Sequence, residues 1–244
     1  MTADNVSIPA GKDRRLASPI RRVFFPSAYL LMALFVLVGF APAFYLRRPE
    51  LGPMPLPLVA HGLLMTAWML TALVQSALPA LGRIRLHRAL GWGGVLLAAA
   101  VWISGVLLVA YSVRTGRNPN PAFLPTPEAF AIVPVRDLLL FGPMVLIAVL
   151  LRNSGPEAHK RLMLIAALSL MSAPLSRIPL PPPPAAFFLG TLGVLIALAV
   201  YDLTSLKRLH PATLWGGVAT VTSIGATPII GRSPGWQTLV AALT

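Results

Sequence analysis

Four histidines, His61, His87, His159 and His210, are the residues of this chain best suited to holding a cofactor. Imidazole is the usual nitrogen ligand of haem and zinc. The chain has no cysteine, so thiolate metal sites, iron–sulfur clusters and disulfides drop out. His87 and His210 each open a copy of one pattern. Leu86-His87-Arg88-Ala89-Leu90-Gly91-Trp92-Gly93-Gly94-Val95 aligns without a gap on Leu209-His210-Pro211-Ala212-Thr213-Leu214-Trp215-Gly216-Gly217-Val218, with seven of the ten positions identical. Two histidines at matched depth on neighbouring parallel helices can clamp a b-type haem. His87 and His210 are therefore the expected axial ligands, with His159 as a substitute, and the repeated glycines would admit a flat macrocycle or a neighbouring backbone. The competing reading makes all three interfacial residues of basic helix starts, with Pro211 suited to a first helical turn. A three-histidine zinc site lacks an acid partner, because Glu157 and Asp202 read as loop-edge residues.

His61, Trp68 and Gln75 are spaced by seven residues, which returns a helix nearly to the same direction. Polar groups inside a membrane turn toward the bundle interior. This stripe is expected to line a cavity or translocation path, or else to fix helix packing by hydrogen bonds. Arg136 and Asp137 fall inside an apolar run, where charge requires partners. Neighbouring helical residues point about 100° apart, so Asp137 is expected to find Arg177 and lock two helices; the functional alternative is an anion or proton site.

The elements that must carry these residues are membrane helices. The chain is 56% hydrophobic and 11% charged, against roughly 25% charged in soluble domains. Apolar stretches of about 20 residues, the length of a span, recur near residues 27–46, 57–81, 89–112, 130–151, 160–178, 185–204 and 212–230. The expected fold is an all-α transmembrane bundle of about seven spans in one domain, preceded by a disordered basic tail over residues 1–26. The fifth span is the weakest, since it contains Pro174 and runs into Arg177; without it six crossings remain. The net charge of +13 lies in the tail and connections with no basic aromatic-interleaved face, so it is topogenic and no nucleic acid is expected. Arg83, Arg85, Arg88, Arg152, Lys160, Arg161, Lys207 and Arg208 join the tail on one side, which places the N-terminus inside and the C-terminus outside. Residues 114–128 form a proline-rich outer loop, Pro181 to Pro184 a stiff connector, and Gly235 to Leu243 a short interfacial helix carrying Trp236.

The strings Leu86-His87-Arg88-Ala89-Leu90-Gly91-Trp92, Ala158-His159-Lys160-Arg161-Leu162-Met163 and His210-Pro211-Ala212-Thr213-Leu214-Trp215-Gly216, with His61-Gly62, Trp68 and Gln75, resemble a family of bacterial multi-pass inner-membrane proteins. The resemblance runs from about residue 25 to the end. It implies an inner-membrane location and brings no established activity. The residues themselves point to haem or metal ligation in electron transfer. The alternative is a small-solute permease or an accessory subunit, partnered by the bilayer and other membrane subunits.

Overall fold

The computed structural model describes residues 19–47, 49–120, 122–178 and 185–243. The first 18 residues of the expected tail and the Pro181–Pro184 connector lie outside them. Every regular element among the described residues is helical: α1 Pro19–Phe40, continued by a π turn at Ala41–Tyr45, α2 Leu56–Ala80, α3 Ile84–Arg114, α4 Pro127–Phe130, α5 Ile132–Leu150, α6 Pro156–Ser169, α7 Ser172–Leu175, α8 Ala185–Leu206, α9 Pro211–Arg232 and α10 Pro234–Leu243. Among the described residues, six stretches are long and apolar enough to cross a membrane: Arg22–Tyr45, Leu56–Ala80, Ile84–Arg114, Pro127–Leu150, Ala186–Leu206 and Pro211–Arg232. Their outward faces carry Leu96, Leu107, Leu189, Trp215 and Ile229, all more than 60% exposed. An apolar surface so extensive is matched by lipid, not water.

Two expectations change here. The tail does not reach residue 26: α1 begins at Pro19 and holds Pro26 in its interior. Phe24 stacks on Tyr201 of α8 at 4.4 Å and Phe25 meets the same ring edge-on at 5.3 Å. This tertiary contact carries the helix past a residue that normally weakens it.

The fifth expected span, 160–178, is not one helix. α6 ends at Ser169, Leu170 and Met171 make short-range bonds to Ala167 and Leu168, and α7 adds a single turn. Pro174 explains the break, because its ring excludes the carbonyl four residues back, that of Leu170, and it has no N–H to donate. The broken segment is nonetheless the centre of the bundle. Leu164, Ile165, Ala166, Ala167 and Met171 are completely buried, and α6 touches α1, α5, α8 and α9. Close approach is achieved with glycine: a Cβ on Gly39 of α1 would stand 2.3 Å from the Pro174 carbonyl oxygen, and one on Gly216 of α9 would stand 2.7 Å from Ile165 Cδ1.

Lys160 lies 5.1 Å over the Phe25 ring, while Pro174 packs on Gly39. The α6–α7 segment thus runs alongside α1 in the same direction, from a lower end marked by Phe25 to an upper end marked by Gly39. The α2–α3, α5–α6 and α8–α9 connections gather at the lower end. At the upper end, α10 docks on α4 and the loop before it, with Trp236 Nε1 donating to the Glu128 carbonyl at 2.8 Å and Thr126 Oγ1 donating to Gln237 Oε1 at 3.2 Å.

Candidate functional site

Three histidines stand at the lower end, and their bonds sort them differently from the sequence repeat. In α2, the helical partner of the Gln75 carbonyl would be the N–H of residue 79, but residue 79 is proline. His87, in the first turns of α3, supplies the missing donor: its Nδ1 lies 3.1 Å from the Gln75 oxygen. The same device recurs one helix pair on. The N–H of Arg152 turns to Val149, and the Ala148 carbonyl at the end of α5 receives Nδ1 of His159 at 2.8 Å. A carbonyl can only accept, so both imidazoles carry a proton on Nδ1. In their neutral form Nε2 keeps a free lone pair, the arrangement in which histidine serves as a metal ligand. The two rings lie 6.3 Å apart, centroid to centroid, and nearly perpendicular at 84°.

His210 is built the other way round. It is the N-cap of α9, its Nδ1 accepts from the Ala212 N–H at 3.1 Å, and its own backbone N–H donates to Asp202 Oδ2 at 2.9 Å. Neutral His210 therefore holds its proton on Nε2, and its charged neighbours are Arg161, Asp202, Glu157 and Arg208. The expected axial pair His87–His210 is not brought together: the ring beside His87 belongs to His159, the expected substitute. The two repeat copies share an outward tryptophan, Trp92 at 60% and Trp215 at 68% exposed, but not a histidine role, because His87 lies inside its helix and His210 precedes its own. Among the described residues no three His, Cys, Asp or Glu gather as a metal-holding group.

Beside His210 lies a cluster that the sequence reading missed. Arg161, treated there as a topogenic loop charge, is completely buried, as is Asp202. Arg161 Nε and Nη2 donate to Asp202 Oδ1 at 2.8 and 2.5 Å, and its Nη1 reaches Glu157 Oε2 at 2.5 Å. Glu157 and Asp202 are thus not ordinary loop-edge residues but the partners that make a buried arginine tolerable. The available signal was local: Glu157 sits one helical turn before both Lys160 and Arg161.

The α2 stripe divides along its length. His61 Nδ1 is 2.9 Å from Ser104 Oγ of α3, a packing bond. Trp68 meets Phe141 edge-on at 5.1 Å, but among the described residues its Nε1 has no hydrogen-bond partner, and neither atom of the buried Gln75 side-chain amide has one either. Orphaned buried donors and acceptors are costly, and here they sit on the face that leads down to His87.

Arg136 and Asp137 pair with each other, against expectation. Arg136 Nε and Nη2 donate to Asp137 Oδ1 at 3.0 and 2.5 Å, Nη1 donates to Thr227 of α9 at 3.1 Å, and Ser172 of α7 donates to Asp137 Oδ2. The length of the arginine side chain overcomes the angular separation of adjacent positions. Arg177 does not reach Asp137; it bonds the Ala173 carbonyl at 2.6 Å and lies 4.7 Å over the Phe40 ring.

Comparison with protein-family models, curated proteins and solved structures finds no match.

Proposed function

We propose that the chain is a seven-pass protein of the bacterial inner membrane in which His87 and His159 ligate a haem b or a metal ion for electron transfer. The carrying observation is the pair of Nδ1–H donors on backbone carbonyls, with both Nε2 atoms left as ligands and the rings 6.3 Å apart. A metal or haem iron held there would take the Nε2 lone pair of each ring. When bound, such a group supplies a one-electron redox couple; the chain's own part is to orient two imidazoles through the α2 and α5 carbonyls. The seventh crossing is the α6–α7 segment, supported by its course alongside α1. An inside N-terminus follows from the arginines near the lower end, and the resemblance to bacterial inner-membrane proteins supports the location.

The test is an oxidised and dithionite-reduced visible spectrum, with metal analysis, of the detergent-purified protein made with haem supplied. A Soret band that His87→Ala and His159→Ala abolish and His210→Ala retains is the expected outcome. A colourless, metal-free protein overturns it. A second reading, a small-solute permease, is favoured by the unpartnered Trp68 and Gln75 side chains; in that case the protein is colourless and Gln75→Ala abolishes uptake.

A further inference from the structure

Midway between the upper end and the centre, α5, α6, α8 and α9 border a small, partly open cavity of about 10 Å³ lined by Arg136, Asp137, Ser169, Phe187, Thr191 and Thr220. Thr191 is 2% exposed, and its hydroxyl has no hydrogen-bond partner among the described residues. Arg136 uses three of its five guanidinium N–H groups on Asp137 and Thr227; the other two make no hydrogen bond among the described residues, and the guanidinium carbon lies 5.7 Å from the Phe187 ring centroid. Two unmet polar groups on separate helices thus border one small space.

We propose that this cavity binds a single water molecule that bridges the Arg136 guanidinium to Thr191. Its size suits one water, which needs roughly 10–15 Å³ of such space and two to four polar partners. Arg136 supplies a donor, Thr191 a donor and acceptor, and the Thr220 hydroxyl, which donates to the Gly216 carbonyl, a further acceptor. Charge favours a neutral occupant: the carboxylate of Asp137 already balances the guanidinium, and no other charged residue among those described lines the space. The water brings α8 into a polar lock that direct bonds extend over α5, α6, α7 and α9.

Substitution separates a filled cavity from an empty one. With water present, Thr191→Val removes its anchor and lowers the unfolding temperature in detergent by about 2–4 °C, while Thr191→Ser retains it. With the cavity empty, Thr191→Val merely replaces an orphaned hydroxyl by a methyl group of similar size, and an equal or higher unfolding temperature overturns the proposal. A density map of the unmodified protein that resolves buried waters tests it without any variant: a peak within hydrogen-bond distance of both Thr191 Oγ1 and an Arg136 Nη is expected, and bare density there overturns it.

Discussion

A histidine that donates through Nδ1 presents a bare Nε2, and one that accepts through Nδ1 does not; that single difference separates His87 and His159 from His210. It also gives His210 a pH signature. Partial burial and then nearby Arg161 lower its pKa, so the folded protein takes up the proton less readily than the unfolded chain, whose imidazole titrates near 6.5. The stability that the cap contributes is fully present above about pH 6.5 and is lost as pH falls through the lowered folded value. His210→Asn caps without titrating, so the slope of unfolding temperature against pH between about 7 and 5 is expected to flatten; an unchanged slope removes His210 as its source. Asp202→Asn, which leaves Arg161 buried without its full counter-charge, is expected to cost on the order of 3 kcal/mol in detergent unfolding, whereas Arg161→Met with Asp202→Leu recovers most of that loss. The spacing of Glu157 and Arg161 was the local sign of this cluster in the sequence; the Asp202 partner and the role of His210 were not legible there. A basic residue at a helix start is usually solvated, and only the docking of α8 turns Arg161 inward.

Elements were more legible than their partners. Apolar runs of span length located α2, α3, α5, α8 and α9 within a few residues, because period and length are local properties. What failed was tertiary: aromatic packing on Tyr201 extended α1 back through Pro26, and the weak fifth span became the most buried segment among the described residues. Pro174 was a visible reason to doubt that span, but which helices would surround it was not visible. Glycine makes the packing testable. Gly39→Ala drives a methyl group into the Pro174 backbone and is expected to destabilise by about 1–3 kcal/mol. Gly193→Ala on α8 meets nothing within 4 Å and should be neutral or stabilising by up to about 1 kcal/mol, since alanine is the better helix former. Equal effects of the two substitutions in thermal unfolding would contradict the α1–α7 contact.

For the whole molecule, the number of crossings decides which ends share a side. The proposed seven crossings with the N-terminus inside would put the C-terminus opposite it, so a reporter fused after Thr244 is expected to signal outside; a cytoplasmic signal rules the arrangement out. The central position of α6 has a consequence for biogenesis. This segment begins with Glu157, Lys160 and Arg161 and has too short an apolar stretch to partition into lipid alone. Its arginine becomes tolerable only when Asp202 arrives on α8, some forty residues later in synthesis. If it crosses as proposed, the segment is expected to enter the membrane only once α8 has emerged, so that insertion and tertiary assembly become one event. Because the chain contains no cysteine, a single cysteine placed at Ala166 reports on this directly: chains truncated before α8 are expected to react with a membrane-impermeant thiol reagent, and full-length chains to be protected.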